Sequence, residues 1–316
     1  MSDVLFCTDT FWKAWGDQVT AIASDIETVL LVDDEPVADA DLERITIAFF
    51  SHDAWPERAG NYFGVALRAD NLAWLHSMSA GVDSPIFQTL KDRGVRLTNS
   101  SGSSSAPIAR TVMMYLLALA RDLPRMMRAQ ANAEWAWDRW SELEGKSVAV
   151  IGYGPIGQEV VRLTTAFGMQ PVVVRREAQG DETCPVRPLA ELAAVMADVD
   201  AVVLALPLSD DTRNIISADV IGAMQAHAFF VNVGRGELVD QPALTKALAS
   251  GKLGGAGLDV TYPEPLPADD PLWALPNVII TPHNSGSTDG TARRASERFL
   301  ANLVPWTASG DLLSEV

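Results

Sequence analysis

The sequence is short of cysteine and of long apolar runs, and each shortage excludes a class of protein. Cysteine occurs only as Cys7 and Cys184, which excludes a disulfide framework and a cysteine-based zinc site and fits a reducing compartment. The longest apolar run, Val112–Ala120, is too short to span a bilayer. The first residues include Asp3 and Asp9 and lack the basic and apolar regions of a signal peptide. We therefore expect a cytoplasmic protein that does not enter membranes.

Positive charge is also scarce. The 24 lysines and arginines are outnumbered by 41 aspartates and glutamates, which gives a net charge of −17. Such an acidic surface repels phosphate backbones and anionic lipid, so we expect no nucleic-acid or membrane partner. What the chain does have is a globular composition, with 48% hydrophobic residues, and its 316 residues are enough for two domains.

From residue 147 onward, apolar β-branched runs alternate with helical segments at a nearly constant interval. The runs begin near Ser147, Val172, Ala201, Ala228, Gly255 and Val278. Strands that alternate with helices in this way form βαβ units, whose crossovers are right-handed. The pattern therefore predicts a Rossmann-type, doubly wound parallel sheet that is covered by helices on both faces.

The first hundred residues show a weaker α/β pattern. The predicted strands are Val4–Cys7, Val29–Val32, Ile45–Phe50 and Arg96–Thr98, and the predicted helices are Phe11–Ala23 and Pro85–Arg93. This pattern predicts a smaller, flavodoxin-like α/β domain. After it, the serine-rich stretch Ser100–Ser105 predicts a hinge or loop. The following helix, near Pro107–Leu123, is apolar on nearly every side, which predicts burial between domains or between subunits.

A glycine motif stands at the end of the first strand of the larger domain. Gly152-Tyr153-Gly154-Pro155-Ile156-Gly157 directly follows that strand and opens a helix, which is the context that dinucleotide binding requires. The first glycine permits a tight turn, the second lets the backbone approach a pyrophosphate, and the third lets helix and strand pack closely. We therefore predict that Gly152, Gly154, Ile156 and Gly157 bind a dinucleotide.

The end of the next strand indicates which dinucleotide is bound. An NAD site places a carboxylate there to bind the ribose hydroxyls, but this strand ends at Arg175 and Arg176. A guanidinium can bind a 2′-phosphate through two hydrogen bonds, whereas a carboxylate would repel it. The pattern favours NADP(H), with NAD(H) as the alternative because Glu177 comes next.

Three residues that follow different strands of the predicted sheet suit the reduction of a 2-oxo acid. Arg235, Glu264 and His283 are all expected at the carboxyl edge of the sheet, where open α/β folds bind ligands. Arg235 can bind the substrate carboxylate, and His283 can protonate the carbonyl oxygen near neutral pH. Glu264 would orient the imidazole and favour its protonated form. This chemistry needs a hydride donor and no metal.

With these motifs, the sequence resembles the D-isomer-specific 2-hydroxyacid dehydrogenase family, in particular its glyoxylate/hydroxypyruvate reductases. The resemblance is carried by the segments Leu143–Lys146, Val150–Gly157, Leu206–Leu208 with Thr212, Val231–Gly236, Leu258–Val260, Glu264–Pro265 and Thr281–His283. It implies that Arg235, Glu264 and His283 are the catalytic residues. It also implies that Asp259 contacts the nicotinamide carboxamide.

The resemblance implies further ligand contacts. Pro207, Thr212 and Val233 would contact the cofactor, the first two near its adenosine side. In the first domain, the backbone N–H groups of Ala80 and Gly81 would bind the substrate carboxylate, and small residues there let the backbone approach the ligand.

The resemblance also implies an architecture. The C-terminal segment would return to the first domain, which gives a substrate domain of residues 1–100 and 285–316 and a dinucleotide-binding domain of residues 101–284. The active site would lie in the cleft between them. A homodimer is implied as well, and the apolar helix near Pro107–Leu123 suits a dimer contact.

Two other functions stay open. A cofactor-sensing scaffold or corepressor on the same fold could retain these residues with little turnover. A formate dehydrogenase would carry glutamine in place of Glu264, which argues against that activity. The side chains that select the substrate are expected to come from the first domain, with His52, Trp55 and Tyr62 as candidates.

Overall fold

The computed structural model describes residues 2–33, 35–82 and 84–316. These residues form two compact units, one that ends at Ser104 and includes Ser287–Val316, and one that comprises Ser105–Gly286. The substrate-binding and cofactor-binding roles predicted for the two domains remain predictions.

The first unit is a parallel sheet with helices. Its strands are β1 (Val4–Thr8), β2 (Glu27–Leu31), β3 (Ile47–Phe50), β4 (Trp74–Ser77) and β5 (Arg96–Asn99), and its first helices are α1 (Asp9–Ile22), α2 (Asp39–Leu42), α3 (Ala59–Arg68) and α4 (Pro85–Asp92). The strand order β2-β1-β3-β4-β5, with every pair parallel, is the flavodoxin-like order. The sequence pattern does not predict β4 or α3.

The C-terminal part of the chain completes this unit. Its last helix, Asp289–Thr307, places Phe299 against Phe49 with ring centroids 4.5 Å apart and against Trp74 at 5.4 Å. Trp306 also stacks on Trp74, at 5.2 Å. Stacked aromatic side chains bury large apolar areas, so this cluster fastens the C-terminal helix to the sheet.

The second unit contains the larger sheet. Its strands are β6 (Ser147–Ile151), β7 (Gln170–Arg175), β8 (Val186–Pro188), β9 (Ala201–Leu204), β10 (Phe229–Asn232), β11 (Gly255–Leu258) and β12 (Val278–Ile280). The strand order is β12-β11-β10-β9-β6-β7-β8, and all pairs are parallel, which is the predicted Rossmann-type sheet. Asn232 is level with Leu204 and Leu258, and Ile280 is level with Leu258, so the strands end together at one edge.

Helices cover this sheet. They are α5 (Ser105–Ala120), α6 (Leu123–Ala131), α7 (Pro155–Ala166), α8 (Leu192–Asp198), α9 (Ala218–Ala223) and α10 (Gln241–Ala249), and the C-terminal helix described above is α11. Helix α5 lies directly on β11, because a Cβ at Gly257 would come within 2.3 Å of the Tyr115 ring. Its opposite side leaves Met114 and Leu117 exposed, so one copy of the chain does not bury the helix on every side. Within the described residues, no helix has the length and apolarity that crossing a membrane would require.

Candidate active site

The glycine motif has the backbone that its proposed role needs. Gly152 has φ of +100° and its Cβ would lie 2.7 Å from the Ala205 carbonyl oxygen, while a Cβ at Gly157 would lie 2.1 Å from the Gly152 oxygen. The chain itself therefore requires both glycines. A Cβ at Gly154, by contrast, would meet no described atom within 4 Å. Because Gly154 precedes the first turn of α7, this open space suits the close approach of a pyrophosphate to a helix N-terminus.

The arginines at the end of β7 differ in how far they are already paired. One guanidinium nitrogen of Arg175 donates to Glu182 at 2.6 Å and to Asp181 at 2.9 Å, and the Glu182 side chain is only 4% exposed. Arg176 is two-thirds exposed and pairs with Asp211, which is also exposed. Both arginines are predicted candidates for binding a 2′-phosphate, but Arg175 is already paired with two carboxylates, whereas Arg176 has one exposed partner.

Glu182 is a residue of this site that the sequence pattern does not predict. Its carboxylate also accepts hydrogen bonds from the backbone N–H groups of Gln179 and Gly180. Backbone donation, above all from Gln179, together with Arg175 lowers the pKa of Glu182 to about 2. The sequence offers one sign of this pairing, the acidic residues Asp181 and Glu182 shortly after the arginines. Whether these carboxylates contact Arg175 depends on the conformation of the loop between them.

Arg235, Glu264 and His283 follow β10, β11 and β12, which are neighbours in the sheet. The backbone that carries Arg235 is fixed by the Asn232 side chain, which accepts from the Gly234 N–H at 3.0 Å and donates to the Arg235 carbonyl at 3.0 Å. A Cβ at Gly236 would lie 1.9 Å from the Thr261 carbonyl oxygen. Arg235 is thus held close to the segment that leads to Glu264.

His283 and Glu264 form an ion pair in the structure. The Nδ1 atom of His283 lies 2.9 Å from Oε2 of Glu264, and the other carboxylate oxygen accepts from the Thr261 N–H at 3.2 Å. Both side chains are about half exposed, so the imidazole can reach a ligand from solvent. Because Nδ1 bonds the carboxylate, Nε2 is the ring nitrogen that can exchange a proton with a substrate.

The pair shifts both pKa values toward the charged forms. The hydrogen bond that His283 donates to Glu264 raises the pKa of His283, against the opposing effects of partial burial and of the positive charge of Arg235. Partial burial acts to raise the pKa of Glu264, but the bond and charge of His283, with Arg235, outweigh it and lower the pKa. The charge of Arg235 thus acts on both groups, which shows that the three residues share one electrostatic environment.

Asp259 anchors the segment that carries His283. Its carboxylate is 2% exposed and accepts hydrogen bonds from the Thr281 hydroxyl, from the backbone N–H of Asn284, and from both the N–H and the hydroxyl of Ser285. Its carbonyl oxygen accepts from the His283 N–H at 2.8 Å. Contact between Asp259 and a nicotinamide remains a prediction, while its part in holding His283 in place is visible.

The other predicted cofactor residues lie at the same edge of the sheet. Thr212 is 5% exposed, and its hydroxyl donates to the Pro207 carbonyl at 2.9 Å and accepts from the Ser209 N–H at 2.8 Å. Thr212 therefore shapes the loop after β9. Val233 directly follows β10 and is 6% exposed. Ile156 lies in the first turn of α7 and is partly buried.

The predicted substrate loop lies in the first unit, after β4. Ala80 is exposed and Gly81 is partly exposed. Of the candidates for substrate selection, Trp55 is 59% exposed and His52 is partly buried. The prediction for Tyr62 is wrong, because its side chain is fully buried and stacks on Phe6 at 4.7 Å.

Comparison with known proteins identifies similar sequences. A family model described as "D-isomer specific 2-hydroxyacid dehydrogenase, NAD binding domain" matches residues 113–285. The chain is 34% identical over 256 residues to D-3-phosphoglycerate dehydrogenase of Methanocaldococcus jannaschii. The matched residues cover 79% of this chain and 48% of that protein. The chain thus spans about half the length of that relative. Glyoxylate reductase/hydroxypyruvate reductase of Mus musculus is 32% identical over 305 residues, which cover 92% of this chain and 91% of the mouse protein.

Solved structures share the whole fold. The D-isomer specific 2-hydroxyacid dehydrogenase of Xanthobacter autotrophicus Py2, in complex with NADPH and MES, superposes with a TM-score of 0.81 at 28% identity. The superposition covers 100% of this chain and 98% of the Xanthobacter chain.

Proposed function

The chain belongs to the D-isomer-specific 2-hydroxyacid dehydrogenase family of NAD(P)-dependent oxidoreductases, and on that premise we propose that it reduces a small 2-oxo acid of the glyoxylate or hydroxypyruvate type to the D-2-hydroxy acid. The observation that carries the proposal is the His283–Glu264 pair at the carboxyl edge of the Rossmann-type sheet. A histidine whose pKa is raised by a carboxylate is suited to donate a proton near neutral pH.

Each residue of the site has a part in this reaction. When bound, the nicotinamide cofactor supplies the hydride that adds to the carbonyl carbon. His283 donates a proton from Nε2 to the carbonyl oxygen, and Glu264 holds Nδ1. The Arg235 guanidinium binds the substrate carboxylate and polarises the carbonyl. The backbone N–H groups of Ala80 and Gly81 also bind the carboxylate.

The preferred coenzyme in this proposal is NADP(H). Arg176 supports the preference, because its partner Asp211 is exposed and a 2′-phosphate can take the place of that carboxylate. Gly152, Gly154, Ile156 and Gly157 would hold the pyrophosphate. Arg175 contributes less than its position in the sequence suggests, since Glu182 and Asp181 already neutralise it.

Replacing Glu182 with glutamine is expected to strengthen the preference for NADPH. The amide oxygen can accept from one of the two N–H groups, of Gln179 or Gly180, and the substitution removes the charge beside Arg175. We expect KM for NADPH to fall by about three- to tenfold while KM for NADH changes less than about twofold. The measurement is initial rates with each coenzyme. Asp219→Asn removes the same charge from exposed α9 as a control, and an equal change in this control would contradict the prediction.

Replacing Glu264 with glutamine is expected to move the pH profile of reduction. The reaction consumes the His283 proton, so kcat/KM is constant below the His283 pKa and falls as pH rises through it. Without the carboxylate, partial burial and Arg235 both act to lower this pKa. The alkaline limb should therefore move to lower pH. An unmoved limb in kcat/KM for the 2-oxo acid would show that Glu264 does not set the His283 pKa.

A homodimer and a cytoplasmic location are also part of the proposal. Exposed apolar side chains occur near one another in sequence in the second unit, on α5, α6 and the segment that follows them: Met114 (47% exposed), Met127 (56%), Trp135 (96%) and Trp137 (76%). Apolar surface of this kind supports an interface with a second copy. Sedimentation equilibrium of the full chain measures the oligomeric state directly.

The proposed function is tested by absorbance at 340 nm with NADPH or NADH and a panel of glyoxylate, hydroxypyruvate, pyruvate and phenylpyruvate. We expect oxidation of NADPH with at least one of the small acids and slower oxidation of NADH. Preference for NADH would overturn the coenzyme preference alone. Tight nucleotide binding without turnover of any acid would contradict the proposal and favour a regulatory role.

A further inference from the structure

The last residue of β5 and the residue after it donate hydrogen bonds to the proposed substrate loop. We infer that Asn99 and Ser100 are positioning residues for the substrate carboxylate, because they fix the two peptide planes whose N–H groups face it. The inference rests on the proposed role of the loop Ser79–Gly81. The stretch Ser100–Ser105 is predicted to be a hinge or loop, and the inference gives its first residue a structural role in substrate recognition.

The peptide planes of this loop are fixed through their carbonyl groups. The Ser79 carbonyl oxygen accepts from the Ser100 N–H at 3.0 Å, and the Ala80 carbonyl oxygen accepts from Nδ2 of Asn99 at 2.8 Å. Both peptide bonds are trans, so each carbonyl points opposite to the N–H of the next residue. The N–H groups of Ala80 and Gly81 must therefore point away from Asn99 and Ser100. Among the residues that the structure describes, neither N–H has an acceptor.

The orientation of the Asn99 side chain is not ambiguous. Its Oδ1 accepts from the Ser101 N–H at 3.1 Å, so Nδ2 is the atom that faces the Ala80 carbonyl. The backbone of Asn99 is held in turn by the C-terminal segment, whose Ser314 carbonyl accepts from the Asn99 N–H at 3.1 Å. Asn99 is 6% exposed. The main chain of Asn99 therefore bonds the C-terminal segment while its side chain bonds the loop, so this one buried residue joins the two.

Ser100 is fixed by a chain of buried hydrogen bonds that contains His76. The Ser100 hydroxyl donates its proton to the Ser77 carbonyl at 3.0 Å, so it must accept from Nε2 of His76, also at 3.0 Å. The other ring nitrogen, Nδ1, then accepts from the Thr98 hydroxyl at 2.6 Å, which itself accepts from the indole of Trp74. Each donor is used once, which defines the tautomer of His76.

His76 can fill this role because it stays neutral. It is fully buried, and desolvation, with a smaller effect from Arg298, lowers its pKa to about 3. Two further hydrogen bonds support the loop: the Ser77 hydroxyl bonds the Ser79 hydroxyl at 2.8 Å, and the Ser79 hydroxyl donates to the Gly81 carbonyl at 2.7 Å. The carbonyl groups of Ser79, Ala80 and Gly81 are thus all held by neighbouring donors.

The test replaces Asn99 with aspartate, which keeps an acceptor for the Ser101 N–H but sets a carboxylate against the Ala80 carbonyl. We expect KM for the 2-oxo acid to rise about tenfold or more, with kcat and KM for NADPH changed less than about twofold, because the carboxylate contact is equal in the ground and transition states. Binding of oxamate to the NADPH-loaded protein, measured by calorimetry, should weaken by the same factor.

The matched control is Asn71→Asp, since Asn71 also donates to a backbone carbonyl, that of Glu43, on an exposed part of the same unit. If Asn99→Asp fails to fold, Asn99→Ala removes the bond to the Ala80 carbonyl without adding a charge and should raise the same KM about threefold. Unchanged KM and oxamate affinity in the folded variant, or an equal loss in kcat, would overturn the inference. Absence of turnover in the unmodified protein would instead contradict the proposed function, and oxamate binding would still test the positioning role.

Discussion

Replacing His283 with asparagine is expected to lower kcat for reduction by about 10²- to 10⁴-fold, the usual contribution of a positioned proton donor. His283 has φ of +49°, a left-handed conformation that asparagine adopts more readily than alanine. The substitution therefore removes proton transfer with little backbone strain. KM for NADPH should stay within about twofold, because the imidazole acts on the reacting carbonyl.

The chain offers a matched control for this substitution. His227 is exposed, lies in the same unit and also has a positive φ, of +67°. His227→Asn should retain full turnover. If His283→Asn turns over at the rate of His227→Asn, then His283 is not the proton donor.

Replacing Arg235 with glutamine is expected to lower kcat/KM for the 2-oxo acid by about 10³-fold. Two losses combine, since the substrate carboxylate loses its cation and the carbonyl loses polarisation. Both KM and kcat should therefore worsen, unlike the effect of Asn99→Asp. The measurement is steady-state kinetics across a wide range of substrate concentration.

A second readout separates this role from a structural one. The charge of Arg235 lowers the pKa of His283, so its removal should move the alkaline limb of the pH profile to higher pH. That is opposite in sign to the shift expected for Glu264→Gln. Arg213→Gln, which removes an exposed arginine of the same unit, should change neither the kinetics nor the profile. A limb that moves to lower pH in Arg235→Gln would contradict the arrangement described.

Much of the larger unit could be predicted because its strands are continuous apolar runs separated by helices. In the first unit, β4 was missed because His76 and Ser77 interrupt the apolar pattern. Both are fully buried nonetheless, since neighbouring hydroxyl groups satisfy their side-chain polar atoms. A sequence pattern shows that a residue is polar, but it does not show the hydrogen-bond partners that allow the residue to be buried.

The candidate site shows the same limit. The expectation that Arg235, Glu264 and His283 share one edge follows from a general property of parallel sheets, and the structure places them after three adjacent strands. The Nδ1 contact of His283 and the burial of Tyr62 depend on side-chain packing. The neutralisation of Arg175 by Glu182 depends on a loop whose conformation no local pattern specifies.

The most direct test of the central claim measures both products of one reaction. The purified protein is incubated with NADPH and hydroxypyruvate, NADPH consumption is followed at 340 nm, and the hydroxy acid is resolved by chiral chromatography. We predict equal amounts of oxidised coenzyme and of the D-hydroxy acid. Formation of the L-hydroxy acid, or coenzyme oxidation without a hydroxy acid, would contradict the proposed reaction.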